Sequence, residues 1–151
     1  MSNIAAPNLT VRPPRSPRVR LGGYVLLPRM LDKCRAELAG TPGEYKFACP
    51  LDARVLEFMG IDAEALKAQV ATGAGDGEML AWIEKHQRTP RSAWEIAHWS
   101  DYQDRRGPDG DAETLGFFLE YVTKLSTTRE DVRTWADVLD LDDHVSFGGK
   151  A

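Results

Sequence analysis

Residues 27–40 read LPRMLDKCRAELAG, and this stretch decides the fold class of the chain. Its apolar residues recur at the spacing of one helical face. They are Leu27, Leu31, Cys34 and Leu38. Pro28 suits the first position of a helix, where its missing N–H would have no helical partner. Gly40 predicts the end, because glycine readily adopts the left-handed conformation that closes a helix. The stretch therefore predicts an amphipathic helix.

Helical spacing continues along most of the chain. It recurs in PLDARVLEFMG (50–60), DAEALKAQVATG (62–73), GEMLAWIEKH (77–86), PRSAWEIAHWSDYQ (90–103), ETLGFFLEYVTKL (113–125) and VRTWADVLDL (132–141). No strand–helix–strand alternation and no internal repeat is visible. We therefore predict an all-α fold, a single compact bundle of about six or seven short helices with an extended Pro/Arg-rich N-terminal strap.

Local signals predict where individual helices begin and which residues they bury. Asp62 is expected as an N-cap, Thr89-Pro90 as the start of a helix, and residues 128–131 as a capping box. On ETLGFFLEYVTKL, the residues at i, i+3, i+4 and i+7 predict one buried stripe. These are Leu115, Phe118, Leu119 and Val122. One common core cluster is expected to contain Leu31, Leu38, Phe58, Leu119 and Val132.

The ends of the chain differ in composition from its middle. Four prolines in the first 20 residues favour extended geometry. The last residues are acidic and then glycine-rich, which is typical of a frayed end. We predict one domain over residues 1–151, with a strap at 1–20, a helical body at 21–141 and a flexible tail at 142–151.

The amino-acid composition limits the classes of protein to which the chain can belong. The chain is 42% hydrophobic and 28% charged, which is typical of a globular domain. No apolar run approaches the roughly 18 residues of a membrane span, and the start lacks a secretory pattern. The two cysteines, Cys34 and Cys49, form no CxxC pair, so we expect reduced thiols, a cytoplasmic location and no membrane partner. Cys34, on an apolar helix face, is predicted to be inert.

Charge is distributed unevenly along the chain. Residues 1–35 carry seven Lys or Arg against Asp32, a net of +6, and residues 109–143 carry three against ten Asp or Glu, a net of −7. The basic head could lie on the acidic half of the same molecule, or it could meet an external anion. The prolines, with the apolar residues Val19 and Leu21, favour a docked strap over a loose arm.

The sequence contains no strong motif for catalysis, metal binding or nucleic-acid binding. The sequence has no GxSxG, HExxH, P-loop or GxGxxG, and its three histidines lie in three different predicted elements. We predict no metal and no cofactor. Residues 36–108 carry eight Lys or Arg against twelve Asp or Glu, a net of −4. An acidic middle would be repelled by phosphates, so we predict no nucleic-acid partner. The oligomeric state is not indicated.

The best local constellation for binding lies around the first helix. Arg18 and Arg20 precede the Gly-Gly turn, Tyr24 follows it, and Arg29 lies in the first helical turn. Arginine forks suit carboxylate and phosphate, and a helix start attracts anions. These four residues are the predicted anion-binding site. In the structural alternative, the same arginines pair with acidic residues of later helices and hold the strap in place.

Two functional classes follow from this constellation. The first is a small cytosolic binding or interaction module that recognises an anionic small molecule or a partner protein. The alternative is a small enzyme with its site near residues 18–52, using Asp32, Tyr45 or Asp52 as acid or base. A cleft in this region with buried carboxylates of raised pKa would favour the enzyme. A flat or filled surface there would favour the module that binds a partner protein.

Two stretches resemble a known family. They are PRSPRVRLGGYVLLPRMLDKCRAELAGTPGEY (14–45) and CPLDARVLEFMGIDAEAL (49–66). Both are similar to an uncharacterised bacterial family, domain of unknown function 5069. The resemblance covers most of the chain and implies a small bacterial intracellular protein. It implies no activity, substrate or catalytic residue.

Overall fold

The computed structural model describes residues 4–151. Within them the backbone forms seven helices and one short antiparallel hairpin. In chain order the elements are β1 (Arg20–Leu21), β2 (Tyr24–Val25), α1 (Leu27–Ala39), α2 (Pro50–Met59), α3 (Ala63–Val70), α4 (Asp76–His86), α5 (Ala93–Arg105), α6 (Ala112–Leu125) and α7 (Trp135–Ser146). The prediction of an all-α bundle is therefore confirmed, and the two-residue strands of the hairpin are a small addition to it.

Helix α1 lies at the centre of the main core. It packs against α2, α3 and β1. Leu27, Leu31 and Cys34 are fully buried, and Leu38 is partly buried against the same core, which confirms the predicted apolar face. Gly40 closes the helix with a φ of 75°. The main core also takes apolar side chains from α2, α3 and α4, namely Val55, Leu56, Met59, Leu66, Val70, Met79 and Ile83.

A second, smaller apolar cluster joins α6 to α7. It consists of Phe118, Val122 and Val138, with Val132 packed against it. The prediction of one common cluster is therefore wrong. Leu119, predicted to be buried, is 55% exposed. The physical reason is that α6 packs chiefly against α7, so a narrow stripe is covered and the flanking apolar residues face solvent.

Helix α5 begins later than predicted. Its first residue is Ala93, not a residue next to Thr89-Pro90. Ser92 accepts a hydrogen bond from the Glu95 backbone N–H, and the Glu95 carboxylate accepts one from the Ser92 backbone N–H. This reciprocal capping box satisfies two N–H groups at the helix start, which the proline could not do.

Helix α7 also begins and ends later than predicted. Thr134 and Asp137 form its capping box, not residues 128–131. The helix continues to Ser146, so the first half of the segment 142–151, predicted as a flexible tail, is helical. Asp62, by contrast, caps α3 as predicted, accepting a hydrogen bond from the backbone N–H of Ala65 at 3.0 Å.

The segment before β1 lies along the helices. Leu9 is buried, and its N–H donates to the Thr41 carbonyl at 2.9 Å. Arg15 lies 3.0 Å from the Asp32 carboxylate and 2.7 Å from that of Asp76. Arg15 is thus paired within the molecule, but its partners lie outside the acidic segment 109–143. Residues 1–3 of the predicted strap lie outside the described residues.

A glycine turn connects the strap to the first helix. Gly22 and Gly23 have φ values of 58° and 85°, and a Cβ on Gly22 would lie 2.6 Å from the Leu80 side chain. The left-handed backbone conformation therefore favours glycine at position 22, and any Cβ there would also force the Leu80 side chain to move. Within residues 4–151, no helix has the length and apolar character needed to cross a membrane.

Candidate ligand-binding cleft

A cleft of about 600 Å³ lies between α1, the segment 41–49 and α7. Its polar lining comprises Thr10, Arg29, Lys33, Glu44, Tyr45, Lys46, Cys49, Asp142, Asp143 and Ser146, and its apolar lining comprises Leu9, Leu51, Leu139 and Phe147. Its volume falls in the range of small-molecule sites, about 300–1,000 Å³. Two buried ion pairs distinguish this cleft from an ordinary surface depression.

The first ion pair joins α1 to α7. Arg29 Nη1 lies 2.7 Å from Asp143 Oδ2, and Nη2 lies 3.2 Å from Oδ1. The Tyr45 hydroxyl donates to Asp143 Oδ1 at 2.7 Å, and the Tyr45 ring centre lies 5.5 Å from the guanidinium carbon of Arg29. Burial, followed by the hydrogen bond to Asp143, raises the pKa of Tyr45. Tyr45 is therefore a neutral hydrogen-bond donor at physiological pH.

The second ion pair joins α1 to α2. Lys33 Nζ lies 2.9 Å from Asp52 Oδ1 and 3.3 Å from the Cys49 sulfur. Burial raises the pKa of Asp52 against the opposing effect of the Lys33 ammonium. Asp52 also accepts a hydrogen bond from the Ala48 N–H at 3.0 Å, which holds Ala48 at a φ of 58°. This left-handed conformation is uncommon for a residue other than glycine.

Helical geometry puts both cations on one side of α1. Arg29 and Lys33 are four residues apart, and each is only 4% exposed. Asp52, the partner of Lys33, lies on the next helix, α2, whereas Asp143, the partner of Arg29, lies on the last helix, α7. The cleft is thus lined by two cations and a tyrosine beside apolar side chains. Among residues 4–151, no group of three or more His, Cys, Asp or Glu is placed to hold a metal ion.

The structure separates the four residues of the predicted anion site. Arg18 pairs with Asp137 and Asp140 of α7. Arg20 pairs with Asp101 and Asp104 of α5 at 2.9 and 2.8 Å. These are the contacts that the structural alternative predicts.

Tyr24 and Arg29 also lie apart from each other. Tyr24 is buried in the main core, where its hydroxyl lies 3.3 Å from Gln87 Oε1 and burial raises its pKa. Arg29 is the one member of the predicted set that lines the cleft. The four side chains therefore do not converge on one pocket.

The three residues proposed for an enzyme occupy different environments. Asp32 accepts hydrogen bonds from Arg15 and does not line the cleft. Tyr45 lines the cleft directly. Asp52 lies behind Lys33, which contacts it. Of these three residues, only Tyr45 therefore lines the cleft.

Sequence reasoning missed Lys33, Cys49 and Asp143. Spacing could have found Lys33, because it lies one helical turn after Arg29 on the same face. Cys49 precedes Pro50, a pattern typical of a helix start, and it is the N-cap of α2. Asp143 was expected to be solvated with its neighbour Asp142, and that expectation is wrong because α7 continues past it and Arg29 compensates its charge. No local signal in the sequence indicates this pairing.

The fold and the cleft together define a helical protein with a polar, ligand-sized cavity. The family model described as Domain of unknown function (DUF5069) matches residues 11–145, and the chain belongs to that family. No curated protein matches the chain.

Proposed function

We propose that the protein is a cytosolic bacterial binding protein whose ligand is a small molecule with an anionic group, held in the cleft between α1, the segment 41–49 and α7. The observation that carries this proposal is the pair of buried ion pairs that faces the cleft. Replacing a buried ion pair by apolar residues is often neutral or stabilising. Two such pairs beside an open cavity are therefore better explained by binding than by stability.

The hydrogen-bond donors of Arg29 and Lys33 that have no partner within the described residues 4–151 favour an anionic ligand. A lysine ammonium has three donors and an arginine guanidinium five. Lys33 directs two of its donors at Asp52 and Cys49. Arg29 uses its terminal nitrogens for Asp143 and the Arg15 carbonyl. The remaining donors suit a carboxylate or a phosphate, and the exposed Lys46 at the lining adds a third cation.

The apolar lining suits the rest of such a ligand. Leu9, Leu51 and Phe147 offer apolar surface to a carbon skeleton, and apolar burial contributes about 25 cal/mol per Å². A protein partner would meet a flatter surface, so the concave shape favours the small molecule of the two ligands considered. The acidic middle of the chain continues to argue against nucleic acid.

A thermal-shift screen against phosphorylated and carboxylated metabolites tests the proposal. Compounds that raise the wild-type Tm are then measured on Lys46→Gln and Tyr45→Phe, two changes that remove cleft groups and leave α1 intact. Lys67→Gln is the matched control, because Lys67 pairs with Glu37 on the surface, away from the cleft. We expect the shift to shrink in both cleft variants and to persist in the control. Hits that act equally on all variants would contradict the cleft assignment.

An enzyme is the second candidate, and one observation favours it. The Cys49 sulfur faces the cleft at the start of α2, with the Lys33 ammonium 3.3 Å away. Reactive cysteines commonly lie next to a cation or at the start of a helix. In such a reaction the Cys49 thiol would lose its proton to solvent and its sulfur would form a bond to an electrophilic carbon of the ligand, while the bond from that carbon to an anionic leaving group breaks.

Alkylation with iodoacetamide tests this second candidate. Burial raises the pKa of Cys34 to about 12, so we expect one modified thiol per folded chain, at Cys49. Lys33→Gln should slow that alkylation at neutral pH, whereas Lys67→Gln should not. Equal rates in wild type and Lys33→Gln, with circular dichroism unchanged, would remove the case for a nucleophile.

A further inference from the structure

A second cavity shares Leu51 and Leu139 with the cleft. Its volume is about 510 Å³, and we call it the arginine groove. Its lining combines two arginines with a largely apolar surface from α2, α6 and α7, namely Pro50, Leu51, Arg54, Arg106, Phe117, Tyr121, Trp135, Val138 and Leu139. No carboxylate lines it, in contrast to the cleft.

The two arginines differ from most arginines of the chain in their pairing. Arg15, Arg18, Arg20, Arg29, Arg35, Arg91, Arg105 and Arg129 each have a carboxylate within 4.0 Å. Arg54 and Arg106 have none among the acidic residues of the described chain. Arg54 Nε donates to the side-chain oxygen of Gln103 at 3.0 Å, and its terminal nitrogens have no acceptor within residues 4–151. Arg106 lies over the Trp135 ring at 5.8 Å.

The two guanidinium groups also repel each other. Burial and then the nearby Arg54 charge lower the pKa of Arg106, and Asp109 opposes this only from beyond ion-pair distance. Two like charges beside an apolar surface are destabilising unless an anion compensates them. The folded protein therefore holds an uncompensated positive site at this groove.

The aromatic side chains give this site a second property. Phe117 is 62% exposed, and its ring centre lies 6.4 Å from that of Trp135 and 6.3 Å from that of Tyr121. Exposed aromatic residues at the edge of a cavity indicate a binding surface more often than isolated exposed residues do. The groove thus presents apolar ring surface next to two arginine forks.

We infer that the arginine groove is a second binding site, which takes a small amphipathic anion with an aromatic or acyl body and a carboxylate, sulfonate or phosphate head. The head contacts Arg54 and Arg106, whose forks match planar or tetrahedral oxyanions. The body packs on Phe117 and Trp135. This inference goes beyond the proposed function, because the arginines and aromatic residues that carry it line the groove and not the cleft.

Shape and charge favour a small molecule over a second copy of the chain. The cavity volume corresponds to a small ligand, and the positive charge calls for an anionic partner group inside the groove. The face around Phe117 is apolar, and a second copy would bring the same two arginines toward their symmetry mates. Charge complementarity therefore points to an amphipathic anion.

Two fluorescent probes that differ in one charged group test the inference. The anionic probe is 1-anilinonaphthalene-8-sulfonate, and the neutral probe is N-phenyl-1-naphthylamine, which has the same rings without the sulfonate. Dissociation constants are measured on the full chain by fluorescence titration. The variants are the double variant Arg54→Gln/Arg106→Gln, Phe117→Ala, and the control Lys67→Gln, whose pair with Glu37 lies outside both cavities.

The inference predicts a distinct pattern across these variants. Loss of two charge-assisted contacts should weaken binding of the sulfonate roughly tenfold and leave the neutral probe within about twofold. Phe117→Ala should weaken both probes, since the ring surface is shared. Lys67→Gln should change the binding of neither probe. Unfolding of a variant is detected by its Tm, and Phe117, being exposed, provides a change that the fold tolerates.

Three outcomes would overturn the inference. Equal loss of both probes in the double arginine variant would show that charge plays no part. Unchanged sulfonate binding in that variant and in Phe117→Ala would place the probe elsewhere. A concentration-dependent dimer in sedimentation that Phe117→Ala dissociates would identify a second copy as the occupant of the groove.

Discussion

Replacing Arg29 by methionine should destabilise the fold strongly and specifically. Arg29 is 4% exposed and donates two hydrogen bonds to Asp143, which is also buried. Methionine keeps the length of the apolar stem and removes the charge. The variant then leaves the Asp143 carboxylate without its cation in a poorly solvated site.

The structure sets the expected magnitude. Removing one partner of a buried ion pair typically costs about 3–5 kcal/mol of the free energy of unfolding. Asp143 keeps the Tyr45 hydrogen bond at 2.7 Å, and such a bond to a charged group contributes about 1.5–3 kcal/mol. We therefore expect a loss at the lower end, about 3 kcal/mol. Adding Asp143→Leu to Arg29→Met removes both charges, and the double variant should lose only about 1 kcal/mol.

Urea denaturation followed by circular dichroism measures both effects at neutral pH. Lys67→Met is the matched control, because its surface pair with Glu37 contributes at most about 1 kcal/mol. The reasoning would be refuted if Arg29→Met changed stability no more than the control does. It would also be refuted if the double variant were less stable than Arg29→Met. In the double variant, binding in the cleft should be lost although the protein folds.

Three further outcomes are expected. Phe118→Ala should cost about 3–5 kcal/mol of the free energy of unfolding, while Leu119→Ala, exposed on the same helix, should cost under about 1 kcal/mol; similar losses would show that the burial of α6 is misassigned. The hydrogen bond from Arg15 lowers the pKa of Asp76. The ionised Asp76 side chain therefore stabilises the fold fully at pH values above the ordinary carboxyl pKa of about 3.9, and Asp76→Asn removes this stabilisation. It is lost as the pH falls through the lowered value, and pH-dependent thermal melts of the two proteins should converge in acid; a constant difference would contradict the linkage. Limited trypsin digestion should spare the bonds after Arg18 and Arg20, whose side chains are paired; rapid cleavage after Arg18 that leaves a folded remainder would mean a loose arm.

The helices of the main core could be predicted from sequence because their signals are local. The face of α1 and its closing glycine follow from spacing and from one backbone conformation. The exposed Leu119 could not be predicted, because the spacing of apolar residues does not say how many neighbours a helix has. The start of α7 was also missed, since two capping patterns lie six residues apart and only packing selects the second.

The candidate site was predicted only in part, for a different reason. Arginines near a helix start indicate a positive region, and Arg29 does line the cleft. Which arginines are compensated depends on contacts across more than a hundred residues, such as Arg18 with Asp140 and Arg29 with Asp143. The uncompensated pair, Arg54 and Arg106, carries no local signal at all. Charge segregation along a chain thus predicts attraction between its parts but not which cations remain available to a ligand.

The most direct test of the central claim is an amide NMR titration of the ¹⁵N-labelled chain with the strongest compound from the thermal-shift screen. The account predicts saturable shifts centred on the lining of the cleft, at Lys33, Tyr45, Cys49 and Phe147, with little change at Arg18 and Arg20. Shifts centred on Arg18 and Arg20, or no saturable shift for any carboxylate or phosphate compound, would contradict the claim that the cleft is the binding site.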